Sequence, residues 1–214
     1  MGFPIFELYR KLLSKMNRLD SEVHEMRTEM KRSFQEHSNA SPVVKQYKNY
    51  HLPRANKLFS GRKMQLERLT KILENNNLAV INGLSGIGKS QIAVKYVQGH
   101  QKEYDFTVWI TTENIRELDD AYRQAADFYG LLEGVGDKDA LYVKEVMKEF
   151  LNHENVLLVV DGADDISFFD LLDYIPANAK VIITTQNSNL DSEEFDIIPL
   201  KNFTKNEAVN EKFF

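Results

Sequence analysis

The sequence predicts an α/β fold: a mostly parallel, five-stranded sheet covered by helices on both faces, a three-layer α/β/α sandwich, preceded by a long N-terminal helix. Three observations lead there. Near-continuous apolar runs such as VLLVV (Val156–Val160) and KVIITT (Lys180–Thr185) alternate with helical segments, the pattern of strands buried on both sides. Another apolar run, Leu78–Ile81, passes at once into a glycine-rich turn and then a helix. Ahead of all this, the first 37 or so residues carry apolar side chains in alternating steps of four and three.

That first segment places Ile5, Tyr9, Leu12, Met16, Leu19, Val23, Met26 and Met30 on a heptad seam. With Tyr9, Met16, Val23 and Met30 at a, the pairs Lys15/Asp20 and Glu22/Arg27 attract across a parallel homodimer. Tyr and Met specify packing poorly, so a helical bundle, a packing partner or docking onto its own domain fit the pattern as well as a coiled coil. The domain reading is helix or coiled coil over 1–37, linker over 38–58 around SNASP (Ser38–Pro42) and Pro53, and a nucleotide-binding domain over 59–214.

Within that domain, Arg62–Glu74 reads as an amphipathic helix with Leu66, Leu69, Ile72 and Leu73 on one face, ended by Asn75–Asn77. The strand Leu78–Ile81 follows, then a helix from Lys89 to about Lys102, and a strand at Phe106–Ile110. A helix over Ile115–Tyr129 and a loop over Gly130–Gly136 come next. Asp137 is the expected N-cap of a helix to about Asn152. After VLLVV, Ser167-x-x-Asp170 opens a short helix ending before Pro176. KVIITT and a short strand at Asp196–Ile198 complete the sheet, and Thr204-x-x-Glu207 is a capping box for a last helix.

Between Leu78 and Gln91 the sequence holds G-x-x-x-x-G-K-[ST], with Gly83, Gly88, Lys89 and Ser90 at the fixed positions. Such a phosphate-binding loop curls so that successive N–H groups share one concavity, at the positive end of the following helix. Gly83, Leu84, Ser85, Gly86, Ile87, Gly88, Lys89, Ser90 and Gln91 are therefore candidate nucleotide contacts. Lys89 would neutralise the β- and γ-phosphates, and the Ser90 hydroxyl would ligate Mg²⁺. Asp161, ending VLLVV, is the second half of the site: a carboxylate at the same sheet edge, suited to Mg²⁺. Lys89 and Asp161 are the candidate catalytic groups, and Ser90 and Asp161 the candidate metal ligands. The polar end of KVIITT, Thr184–Gln186, would face the γ-phosphate if that strand lies beside the loop strand. No N-K-x-D guanine-reading motif is present, so the expected cofactors are ATP or ADP with Mg²⁺.

Composition bounds the rest. The 214 residues, 43% hydrophobic, suffice for one core and an appendage. There is no cysteine, so disulfides and thiolate metal sites are excluded. The five histidines have no ligand spacing, and no apolar run approaches the roughly 20 residues that span a bilayer. The N-terminus lacks the design of a signal peptide. A net charge of −5, with the acidic excess in the nucleotide domain, argues against a nucleic-acid surface there. A cytoplasmic location is the expectation.

Taken together, these motifs resemble the NB-ARC nucleotide-binding domain of the STAND ATPases, the switch domain of apoptotic and NLR-type immune receptors. The resemblance covers about residues 52–214. It runs through Phe59-Ser60-Gly61-Arg62 with Leu66 (F-x-G-R-x-x-x-L), GLSGIGKS, VWI around Trp109, LLVVDGADD, VIITTQ and Ile198-Pro199-Leu200. It implies a KVIITT strand lying between the strand before the loop and VLLVV. It also implies adenine held partly by Phe59, Gly61 and Arg62, with ADP locking a closed monomer and ATP permitting self-association. Trp109 reads as core packing.

Three departures modify that expectation. Gly162 stands where many members carry an acidic base, although Asp164 and Asp165 follow. Gln186 replaces the usual sensor Arg, so an amide without charge would reach the γ-phosphate. Both point to slow or absent hydrolysis. The sequence also stops before the G-L-P-L segment and winged helix, as in the N-terminal part of a longer receptor or a truncated relative. The leading expectation is a nucleotide switch signalling to an unknown effector through its N-terminal helix. The alternatives are an AAA-like working ATPase and a nucleotide-fold scaffold organised by a coiled coil.

Overall fold

The computed structural model describes residues 28, 32, 49–56, 59, 61–132, 139–152, 155–187, 190 and 195–202. The chain divides into two compact units, Met1–Gln46 and Tyr47–Phe214. In the first, Thr28 and Arg32 are helical and exposed. The remainder of the 1–37 seam, with its coiled-coil reading, lies outside the described residues, as does the helix expected at Thr204-x-x-Glu207.

Numbered along the described residues, the second unit runs β1 (Asn49–Tyr50), α1 (Lys63–Asn75), β2 (Leu78–Asn82), α2 (Lys89–His100), β3 (Phe106–Thr111), α3 (Ile115–Phe128), α4 (Ala140–Leu151), β4 (Val156–Asp161), α5 (Phe168–Leu172), β5 (Lys180–Thr185) and β6 (Ile197–Pro199). The strands form one sheet in the order β1-β3-β4-β5-β2-β6, every pair parallel. As the resemblance implies, β5 lies between β2 and β4.

Two sequence expectations need correction. The sheet has six strands, not five, because Asn49–Tyr50 within the 38–58 stretch pairs with Thr107 and Val108 of β3. A two-residue strand leaves no periodicity to read; Tyr50 is held by aromatic packing, 5.1 Å from the Phe128 ring and 6.3 Å from Tyr129. Asp137 lies outside the described residues, and the cap of α4 is Asp139, whose Oδ1 accepts from Tyr142 N at 2.9 Å. A carboxylate at N-cap reaches the amide three residues on, and only Asp139 stands at that offset from the first helical turn.

The core lies on both sheet faces. Ala79, Ile81, Trp109, Leu157, Val159 and Ile182 pack with Leu69, Ile72 and Leu73 of α1 and Ile92, Ala93, Tyr96 and Val97 of α2. The alternate residues Val80, Val108, Ile110, Leu158, Val160, Val181 and Ile183 are buried too. With successive side chains pointing to opposite faces, only a sheet covered on both sides gives this pattern. Trp109 is core, as expected, at 2% exposure.

Candidate functional site

Because all six strands are parallel, β2, β4 and β5 deliver their C-terminal ends to one edge of the sheet, the place where open α/β sheets bind ligands. The loop Gly83–Gly88 leaves β2 there and enters α2. Its crest, Leu84–Gly86, is exposed, and Gly86 and Gly88 take φ of +72° and +101°. At its base Gly83 leaves no room for a larger residue: an added Cβ would stand 3.0 Å from both Cβ and O of Leu200. Gly83 N donates to Thr185 O at 3.2 Å, and Leu200 N to Asn82 O at 2.7 Å. The loop is thus moored to the strands on both sides of β2.

Lys89 is buried, and its Nζ donates to Gly83 O at 2.8 Å and Leu84 O at 3.1 Å, which holds the ammonium against the loop. The Ser90 hydroxyl donates to Asp161 Oδ1 at 2.7 Å, joining two groups 71 residues apart in sequence. Thr184 Oγ1 donates to the same oxygen at 2.5 Å. Hydroxyl and carboxylate oxygens beside a glycine-rich loop form the hard donor set that Mg²⁺ and phosphate oxygens favour, so Ser90, Asp161 and the loop fit a magnesium nucleotide. Among the described residues, no group of three or more His, Cys, Asp or Glu could hold a metal by itself.

The remaining sequence-predicted residues surround this centre in ways the sequence did not specify. Phe59 is half-buried against the core, and a Cβ on Gly88 would meet its Cε2 at 3.8 Å. Gly61 and Arg62 have φ of 81° and 61°, and Arg62 caps α1 from the left-handed region. Its guanidinium, in a residue only 6% exposed, donates to Lys201 O at 2.9 Å and Ile87 O at 3.4 Å. It therefore braces the loop against the segment after β6. Gln91 Oε1 accepts from Asn56 N at 3.1 Å, which ties the 49–56 stretch to α2.

Gln186 is turned onto the acidic turn after β4: its backbone N donates to Asp164 Oδ1 at 2.6 Å, and its side-chain amide donates to Asp164 Oδ2. Gly162 has φ of +84°, where a Cβ would meet Thr112 O at 3.3 Å. The acidic base that many NB-ARC domains carry at this position would be strained here.

Sequence reasoning placed Thr184 at a polar strand end facing the γ-phosphate, on the condition that its strand lies beside the loop strand, and β5 does pair with β2. What it did not foresee is the hydroxyl's partner, Asp161, level with Thr184 across β4 and β5. Asn82, which donates through Nδ2 to Asn187 O, carried no signal, and Leu200 entered only through the Ile198-Pro199-Leu200 motif, not as part of the site.

Among the described residues, no helix is long and apolar enough to cross a membrane. Comparison with curated proteins gives no match. Among solved structures, the chain is similar to Cdc6p from Pyrobaculum aerophilum, at 16% identity and a TM-score of 0.51 over 73% of this chain and 49% of that one. It is similar also to the ORC2 protein of Aeropyrum pernix, solved as ADPNP–ADP complexes, at 16% identity and a TM-score of 0.47 over 75% and 52%. A third is the Walker-type ATPase of Pyrococcus abyssi, at 15% identity and a TM-score of 0.46 over 73% and 57%. The chain thus spans about half the length of the solved chains it matches. The likeness to Cdc6p is one of fold. Residues 72–191 match the AAA domain family, a stretch that holds the loop, Lys89, Ser90, Asp161 and Thr184. By that match over more than half its length, the chain belongs to the AAA domain family of P-loop NTPases.

Proposed function

We propose that this chain is an adenine-nucleotide switch of the STAND type: it binds ATP or ADP with Mg²⁺, its nucleotide state controls self-association, and hydrolysis is slow. The observation that carries the reading is the Ser90–Asp161 hydrogen bond at 2.7 Å, which brings the two halves of the motif together beside Lys89. The loop amides and the start of α2 receive phosphate oxygens, and Lys89 supplies a positive charge to the β- and γ-phosphates. Ser90 and Asp161 hold Mg²⁺, which contributes charge neutralisation when bound. Phe59, beside Gly88, lends an apolar surface for adenine. Arg62 acts on the loop through the Ile87 carbonyl.

Slow hydrolysis follows from the turn after β4. Gly162 offers no base, Asp164 is engaged by Gln186, and the Gln186 amide brings no charge to a γ-phosphate. The NB-ARC-like order of Phe59–Arg62, the loop and Ile198–Leu200 supports the STAND assignment. Self-association and contact with an effector protein through the N-terminal helical segment, in the cytoplasm, rest on that assignment.

The test is to purify the chain from cells, denature it and identify any released nucleotide by chromatography, with Lys89→Ala as control. Stoichiometric ADP or ATP, lost in the variant, is the expected result. A wild-type chain that is empty and also fails to bind added ATP–Mg²⁺ would overturn the reading.

Membership of the AAA family favours one other reading, a working ATPase completed by an arginine from a second subunit. Turnover per chain that rises with protein concentration to motor-like rates supports that reading. Slow turnover independent of concentration supports the switch.

A further inference from the structure

Thr184 is fully buried and stands between Ile81 of β2 and Asp161 of β4, in register with both. Its hydroxyl has both its roles fixed. Gly162 N donates to Thr184 Oγ1 at 2.9 Å, and the one hydroxyl proton goes to Asp161 Oδ1 at 2.5 Å. Ser90 Oγ donates to that same Oδ1 at 2.7 Å. Both hydroxyls therefore converge on one carboxylate oxygen, and Oδ2 accepts no hydrogen bond among the described residues.

We propose that Thr184 is a positioning residue for the metal site: by pinning Oδ1 it sets the rotation of the Asp161 carboxylate so that Oδ2 serves the divalent cation. The inference rests on the nucleotide-switch reading and adds to it a part of the Mg²⁺ machinery. Ser90 shares that oxygen, but its hydroxyl is itself a proposed ligand, so its position answers to the cation as well as to Asp161. Thr184 has no such second duty; its oxygen is anchored by the backbone of Gly162, on the same turn that Asp161 begins. Partners of a metal ligand that fix its orientation are worth roughly 10–100-fold in metal affinity.

The experiment is a Mg²⁺ titration of fluorescent ATP-analogue binding to the full chain, as wild type, Thr184→Val and Thr184→Ser, with a parallel affinity measurement in EDTA. Valine keeps the shape and removes the hydroxyl, and Gly162 N retains the Thr184 carbonyl at 3.1 Å. The expected result is a rise of about tenfold in the Mg²⁺ concentration at half-maximal binding for Thr184→Val. Serine should restore the wild-type midpoint, and the EDTA affinity should be the same for all three. If Thr184→Val does not fold, Thr184→Cys takes its place, a residue of similar size with a weak donor, expected to raise the midpoint in the same direction. A wild-type midpoint in whichever of these two variants folds overturns the inference, and so does an equal loss of affinity in EDTA. A wild-type chain that binds no analogue under any condition overturns the switch reading as well, which separates the two failures.

Discussion

The two sides of the sheet are held by different forces. Beside β1 and β3 the contacts are aromatic: Phe150 lies 4.7 Å from the Tyr129 ring and 5.4 Å from Phe106, and Tyr50 packs edge-on to Phe128 at 5.1 Å. At the C-terminal ends of β4, β5 and β2 the contacts are hydrogen bonds between single atoms: Thr184 and Ser90 on Asp161, Lys89 on two loop carbonyls, Gln186 on Asp164. The burial of these rings is a broad, non-directional gain, so it secures the edge strand without prescribing atom-to-atom contacts of the kind a ligand site needs. Hydrogen bonds prescribe atoms, which is what a phosphate and metal site requires. Stability should therefore be concentrated on the first side and binding on the second.

The sharpest way to break that comparison is to truncate the aromatic side. Phe150→Ala removes a nearly buried ring and should cost about 3 kcal/mol in urea unfolding. The folded fraction should still retain nucleotide as the wild type does. Loss of binding in the folded fraction would mean that the two sides are not separable.

A smaller effect, of opposite sign, sharpens the contrast. Among the described residues, the Tyr129 hydroxyl is buried without a hydrogen-bond partner, and burial pushes its pKa well above the ordinary tyrosine value. Since an unpaired buried hydroxyl is a cost, Tyr129→Phe should raise stability by about 0.5–1 kcal/mol, read as an increase in the urea midpoint. A hydroxyl is a liability here, whereas the Thr184 hydroxyl is paired with both Gly162 and Asp161. Destabilisation by Tyr129→Phe would contradict this account.

The smallest effect is at the rim. Lys144 donates to Asp173 and, with Lys148 adding attraction, holds the Asp173 carboxyl below its usual pKa, against a smaller opposing effect of burial. A depressed folded-state pKa contributes stability that is present above about pH 4 and lost as pH falls through the folded value. Because Asp173 is largely exposed, solvent screens the pair to a few tenths of a kcal/mol. Asp173→Asn should lie that much below wild type at pH 7 and meet it in melts below pH 3. A gap that persists at low pH would assign the effect to packing.

The loop and its flanking elements were legible because they are local: β2, the glycines and the start of α2 are consecutive, and their periodicity and spacing dictate the turn. Asp161 was legible because a carboxylate ending an apolar strand lies at a sheet edge whatever the strand order. Gln186 shows where local reasoning ends. It was assigned toward the γ-phosphate from its place after β5, yet its amide is bonded to Asp164, and that partner depends on how the turn after β4 folds. Arg62 is similar, since its guanidinium answers to a carbonyl 139 residues away.

What the sequence determined by itself is five of the six strands, the phosphate loop and the strand-ending carboxylate. Each follows from side-chain periodicity or from backbone freedom within a few residues. What only the tertiary structure decided is which oxygens meet: Oδ1 of Asp161 shared by Ser90 and Thr184, the Thr184 oxygen held by Gly162, and Tyr50 recruited to the sheet. Those contacts depend on strand order, register and rotamer, which are fixed only when the sheet is assembled and its faces are buried.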